Sequence, residues 1–475
     1  MGFLIGSLAA AVGAPEPALR LLISILVGYP LALVYHNFMY KQSTTIRHIY
    51  FAISGFLLIV FNYGFDVYHS LIAILFTYVI ANVLYAKPKH LVIINFIFHM
   101  AYLLLAYYFT ESDEYDIIWT MPHCVLVLRL IGLGFSIADG LKKPESLSKD
   151  QKESALTRIP SLLEITAYTY FPACCLVGPQ FPFRRYERFM NKEFERYKGH
   201  VRSGLTRFGL GIFYLAIRQI GAGFLPDEYF LEEEFQAYVW WHKYILLAIW
   251  GKLALYKYVS CWLLAEGAAT CFGLSFVGIK EDGSEDWSAC SNIKLEMFEK
   301  ASKLGHYVLS FNVNTNHWVA ENVYKRLKFL NNRTISYASA LFFLALWHGF
   351  HTGYYMSFFM EYLTITFERQ ISNIYDGLAN GPKGNLVKST PSQVVIFILR
   401  QIYTLVGMGW CLVPFVFLSY DKWFSVYKTF NYIGFVLLVP WFLGHFIYNQ
   451  FFRPPKKNVK SGGETRAPSS KVATD

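Results

Sequence analysis

The sequence predicts an all-α protein that crosses a bilayer many times. Of its 475 residues 54% are hydrophobic and only 16% are charged, with a mean hydropathy of +0.31. Ordinary soluble domains carry about 25% charged residues. Apolar segments recur along the chain without a soluble-looking block between them, and the loops joining the first few alternate in sign. A length prior would suggest about three soluble domains. It does not apply to such a chain, and one membrane domain over residues 1–452 is the simpler expectation. The remainder, 453–475, is polar and basic and is expected to be disordered.

Met1 to Ala14 is weakly apolar and has no basic flank, so a cleaved signal peptide is not expected. The first five spans are expected near 18–38, 48–64, 67–86, 91–109 and 118–137. Lys41 and Arg47 follow the first, Asp66 the second, and Lys87 and Lys89 the third. Glu111, Asp113, Glu114 and Asp116 follow the fourth, and Lys142, Lys143, Lys149 and Lys152 the fifth. The positive-inside rule puts the basic loops in the cytosol and the amino terminus on the far side. Residues 159–183 are apolar but interrupted by Pro160, Pro172, Pro179 and Pro182. Such a segment is expected to be re-entrant or broken, and it must be buried in protein or line a cavity, because lipid cannot satisfy its free backbone groups. Arg184 to Arg202 mixes basic residues with Tyr186, Phe189, Phe194 and Tyr197, and predicts an amphipathic helix on the cytosolic surface. Further spans are expected near 204–224, 238–262, 303–320, 337–363, 395–419 and 429–451, about eleven in all. The basic stretch 324–328 and the basic tail both read as cytosolic, yet three spans separate them. One of those segments must therefore be broken or tilted. No internal repeat of the transporter kind is present.

Seven scattered cysteines, an odd count without paired spacing, predict neither a disulfide framework nor a zinc site. The chemistry has to come from polar residues inside apolar runs. His348 lies midway along Ser339 to Leu363, and an ionisable group there is a functional candidate by default. Its plainer use is a structural bond to a neighbouring Tyr or carbonyl. Trp347 and Gly349 flank it with a bulky wall and a close backbone approach. His351 stands at i+3, on the same face if the run is one helix. The second anomaly is Phe311-Asn-Val-Asn-Thr-Asn-His-Trp318. In a helix Asn312 and Asn316 share a face and Asn314 points elsewhere. Three amides so close also suit a solvent-facing turn, since Asn competes for backbone hydrogen bonds. Arg129 within the fifth span and Asp139 at its end suggest an ion pair inside the bundle.

Three motifs together resemble the membrane-bound O-acyltransferase family, most closely its lysophosphatidylcholine acyltransferase branch. They are Gly178-Pro-Gln-Phe-Pro-Phe-Arg-Arg-Tyr186, the Asn-rich box and Leu346-Trp-His-Gly-Phe-His-Thr-Gly353. The resemblance runs over nearly the whole chain in segment order. It implies helices with broken segments around a buried catalytic chamber. His348 matches the family's catalytic histidine and Asn312 its catalytic asparagine, with Asn314 and Asn316 as close competitors. The resemblance further implies acyl transfer from acyl-CoA to the free sn-2 hydroxyl of a lysophospholipid, and so a part in phospholipid remodelling. Lysophosphatidylcholine is the leading acceptor, and ethanolamine or serine forms follow. Trp347, Asn316 and His351 would line the substrate site, and Arg184, Arg185 and Arg188 would meet the anionic end of acyl-CoA. No metal and no cofactor beyond acyl-CoA as co-substrate is expected. The expected partners are the two substrates and the bilayer, with room for a homodimer and no role for nucleic acid. The expected location is the endoplasmic reticulum membrane. A family member with a sterol, diacylglycerol or protein acceptor, or a transporter, is the alternative.

Overall fold

Helices account for most of the computed structural model, which describes residues 2–110, 112, 116–382 and 384–452. Strand among the described residues is confined to a hairpin pairing Gly278–Ile279 with Glu285–Asp286. The chain divides into two compact units, Met1–Tyr432 and Ile433–Asp475. The basic tail and three acidic residues of the fourth loop, Glu111, Asp113 and Glu114, lie outside the described residues.

Within the first unit, helices of seven or more residues are α1 (Gly2–Val12), α2 (Glu16–Val34), α3 (Thr44–Tyr63), α4 (Val67–Val83), α5 (Pro88–Thr110) and α6 (Thr120–Gly140). They continue as α7 (Leu162–Thr169), α8 (Phe183–Met190), α9 (His200–Phe224), α10 (Trp240–Cys271), α11 (Leu304–Ser310) and α12 (Val313–Val319). Then come α13 (Arg333–His348), α14 (Thr352–Ala379), α15 (Thr390–Phe417) and α16 (Tyr420–Thr429). The second unit holds α17 (Ile433–Ile447), extended by a wide turn over Tyr448–Phe452.

Among the described residues, six helical stretches are long and apolar enough to cross a membrane, or up to seven if one bent pair is counted. This is fewer than the eleven expected, for three physical reasons. The stretch Thr44–Val83 counts once although it holds two expected spans. Gly64, at φ 60°, turns the chain between them. Helix α10 carries Lys243, Lys252, Lys257 and Glu266 and so is not uniformly apolar. The expected spans 303–320 and 337–363 are each broken in two. The first five expected spans, by contrast, coincide with α2 to α6.

The Pro-rich segment is broken and buried, as expected. Helix α7 stops at Thr169, and residues 170–182 run on without helix between buried Phe171, Cys174 and Phe181. Arg129 makes this tolerable. Its guanidinium donates to the carbonyls of Tyr168 (3.3 Å), Thr169 (3.0 Å), Cys174 (2.9 Å) and Pro179 (3.3 Å). Backbone groups that no helix pairs and no water reaches are costly unless a side chain satisfies them. The expected Arg129–Asp139 pair does not form, because Arg129 is spent on those carbonyls. Asp139 pairs instead with Lys142 (2.8 Å) and Arg326.

The expected amphipathic surface helix over 184–202 is also corrected. Helix α8 ends at Met190, Lys192 takes a left-handed φ of 58°, and helix resumes only at His200. Its aromatic face packs inward: Tyr186, Phe189 and Phe194 are buried in the core around Phe51, Phe171 and Phe272. All seven cysteines are free thiols.

Candidate active site

His348 does not sit mid-helix. It is the last residue of α13, and α14 begins at Thr352. The break follows from its glycines. Gly349 adopts φ 131°, a region that favours glycine. Gly353 donates its N–H to the Leu418 carbonyl at 2.9 Å. A Cβ at Gly353 would overlap the Pro414 carbonyl oxygen, so only glycine lets the start of α14 lie against α15. The other side of the break is pinned as well. The Tyr107 hydroxyl donates to the Trp347 carbonyl at 3.0 Å, and the Trp347 indole N–H donates to the Cys124 carbonyl at 2.8 Å. The His348 ring is held by aromatic packing: Trp347 lies 4.7 Å away, Tyr354 5.2 Å, Phe415 5.2 Å and Phe358 5.6 Å. Among the described residues neither of its nitrogens has a hydrogen bond.

That ring borders a cavity of about 210 Å³ between α10, α11, α13, α14 and α15. Asn312 and Asn316 line the same cavity. The Asn box is not one continuous helix. Asn312 precedes α12 with φ 51° and ψ 42°, the left-handed conformation that asparagine tolerates better than most residues. Its side-chain oxygen Oδ1 accepts from Asn292 Nδ2 at 3.1 Å. That leaves the amide N–H groups of Asn312 for the chamber. Asn316 is spent differently: its Nδ2 donates to the carbonyls of Val308 (2.9 Å) and Phe311 (3.0 Å), tying the turn between α11 and α12.

Asn292 is a residue that sequence reasoning missed, and it organises the box. Besides holding Asn312, its Oδ1 accepts from the Asn314 backbone N–H (3.0 Å) and its carbonyl from the Val313 N–H (3.0 Å). Its own backbone N–H donates to Glu266 Oε2 at 2.6 Å. Glu266 is fully buried and paired with Arg207. A buried carboxylate is tolerable when paired and hydrogen-bonded, and here it anchors the loop that positions Asn312. Glu361 was missed too, although it lines the chamber from α14.

Two further cavities involve the predicted residues. His348 also borders a space of about 90 Å³ lined by Tyr107, Asp116, Met121, His351 and Tyr354. His351 therefore lies on this side and not in the main chamber, because the chain break removes the helical register that would have aligned it with His348. Trp347 lines neither space and serves as a buried wall. Asn314 faces a third cavity, of about 270 Å³, lined in part by Arg129, Gln180, Arg185, Trp318 and Arg326. Buried polar atoms without a protein partner collect there: Asn314 Nδ2, Trp318 Nε1, Arg129 Nε, Arg326 Nε and Glu321 Oε2. Of the three candidate arginines, Arg185 lines this third cavity, where its guanidinium also holds the carbonyls of Leu274 (3.2 Å) and Phe276 (2.7 Å). Arg184 is paired with Glu187 and Arg188 with Glu193 on the surface.

The chain is similar in sequence to known proteins. The model of the membrane-bound O-acyltransferase family matches residues 104–379, which include Asn312, His348 and the chamber lining other than that from α15. Lysophospholipid acyltransferase 5 of Drosophila melanogaster is 51% identical over 458 residues, 96% of this chain and 92% of that protein. The Homo sapiens protein of the same name is 38% identical over 439 residues, covering 92% and 90%. The Caenorhabditis elegans one is 32% identical over 461 residues, covering 95% and 97%. The chain is therefore a multi-pass membrane enzyme and belongs to the membrane-bound O-acyltransferase family.

Proposed function

We propose that the chain transfers a fatty acyl group from acyl-CoA to the free sn-2 hydroxyl of a lysophospholipid. The observation that carries the reading is that Asn312 and His348, from separate broken elements, border one largely apolar chamber. A hydroxyl is a weak nucleophile and must lose its proton as it attacks. His348, with no hydrogen bond on either nitrogen among the described residues, is free to take that proton. General base catalysis of this kind contributes about 10²–10⁴-fold. The hydroxyl oxygen bonds to the thioester carbonyl carbon, and the carbonyl oxygen becomes an oxyanion. The Asn312 amide donates to it. Collapse breaks the carbon–sulfur bond, and His348 returns the proton to the departing CoA thiolate. No acyl-enzyme is needed, so the cysteines have no role.

Acyl-CoA would enter by the third cavity. Its unpartnered donors suit the amide carbonyls and phosphates of the CoA arm, and Arg185 is the one candidate arginine on that path. No other cofactor is invoked. The names of the relatives support a lysophospholipid acceptor, with lysophosphatidylcholine the first to test. The endoplasmic reticulum is the proposed location, since it fits the family and the supply of acyl-CoA.

The experiment is a lysolipid and acyl-CoA activity panel on the purified wild type beside His348→Ala. The variant is expected to lose at least about 10²-fold in kcat while keeping its melting temperature and acyl-CoA binding. Near-normal turnover would sink the mechanism.

A further inference from the structure

We infer that Glu361 recognises the cationic head group of the acceptor lipid, and so sets head-group selectivity. The inference rests on the reaction proposed above. Helix α14 turns Ser357, Phe358, Glu361, Thr364 and Ile365 onto the chamber, the spacing of a single helix face. Glu361 is the one acidic residue among those lining the cavity. Among the described residues its carboxyl has no hydrogen bond and no ion pair. The contrast with Glu266 and Glu368 is direct. Glu266 has Arg207 and the Asn292 N–H, and Glu368 accepts from the N–H groups of Leu304 and Gly305. An ionised carboxylate away from water without a partner is costly. Nothing in the packing of α14 requires a carboxylate there, so its partner is to be sought in the ligand.

The walls say which ligand. Tyr258, Trp262, Phe311 and Phe415 line the same cavity, with ring centroids 4.8–6.3 Å apart. Aromatic faces and a carboxylate lining one cavity are the chemistry that holds a quaternary or primary ammonium. Tyr258 and Trp262 also carry O–H and N–H donors for the neighbouring phosphate. A fatty chain would gain nothing from an acid in its path.

The spacing agrees. The Phe358 ring lies 5.6 Å from the His348 ring. Glu361 is one helical turn beyond Phe358, about 5 Å further along the axis. His348 and Glu361 line the one cavity, so a lysolipid with its glycerol hydroxyl at His348 brings a phosphocholine or phosphoethanolamine arm toward Glu361.

The test uses the full chain with one acyl-CoA and lysolipids bearing choline, ethanolamine or glycerol heads. For Glu361→Gln, KM for the choline and ethanolamine forms is expected to rise roughly tenfold, the size of a lost desolvated cation contact. The glycerol form, which has no cation, is expected to change by less than about twofold on the same reasoning, so selectivity collapses. Glu361→Asp, which keeps the charge, is expected to retain most of the preference. Equal losses across all three head groups would overturn the inference. So would a changed acyl-chain preference with head-group selectivity intact. A wild type that acylates no lysolipid would instead reject the reaction itself.

Discussion

Helices α2 to α6 and the stretch from Asn292 to His351 are built on opposite plans. In the first region each span is a single apolar helix of 17 to 23 residues. Large side chains such as Leu57, Leu75 and Ile97 remain exposed on its outer faces. In the second region α11 and α12 have seven residues each, and α13 stops at the residue that carries the proposed chemistry. The difference shows where a membrane protein can afford irregular backbone. A break leaves N–H and C=O groups that lipid cannot satisfy. It is therefore found where side chains such as Asn292, Asn316 and Tyr107 satisfy it, which leaves the Asn312 amide and the His348 ring beside the chamber.

The contrast can be tested from its strong end to its weak one. Asn312 and Asn314 are two residues apart yet border different cavities, so they should fail differently. Asn312→Ala is expected to lower kcat by about 10²–10³-fold, the loss of one oxyanion donor. Asn314→Ala should spare kcat and raise KM for acyl-CoA by several-fold, roughly one hydrogen bond. Steady-state kinetics of the two variants side by side decide this, and matching kcat losses would mean that the cavities act as one. Next comes Gly353→Ala. Its methyl group meets the Pro414 carbonyl, and overpacking of this kind costs about 1–3 kcal/mol. A lower melting temperature is expected, together with weakened turnover, because the break beside His348 shifts. At the weak end, Leu57→Ala on the outer face of α3 should change stability by less than about 0.5 kcal/mol. Lipid is as apolar as the side chain it replaces. A large effect there would mean that this face packs on protein.

The same division explains what the sequence disclosed. The straight spans were legible because apolar length and alternating loop charge are local signals. Asn312 and Asn316 were expected on one face and do share a cavity. His348 stood out because an ionisable group in an apolar run is conspicuous. What lay beyond reach was long-range. Asn292 lies 20 residues before Asn312 and belongs to a mixed-charge loop, and Glu266 and Arg207 are partners 59 residues apart. No periodicity announces such pairs. Arg184 and Arg188 meet neighbouring glutamates, a pairing that no local pattern announces, because basic residues among aromatics look alike whether they meet a phosphate or a glutamate. Gly349 did signal the break. It was read as a close approach when its φ makes it the end of a helix.

His348 borders both the chamber and the smaller space beside Tyr107 and Asp116. The imidazole is thus part of the lining of two spaces at once. Truncation to alanine removes a proton acceptor and a shared piece of that lining together. His348→Gln keeps much of the bulk while discarding the base. Comparing the two variants separates chemistry from containment at this residue.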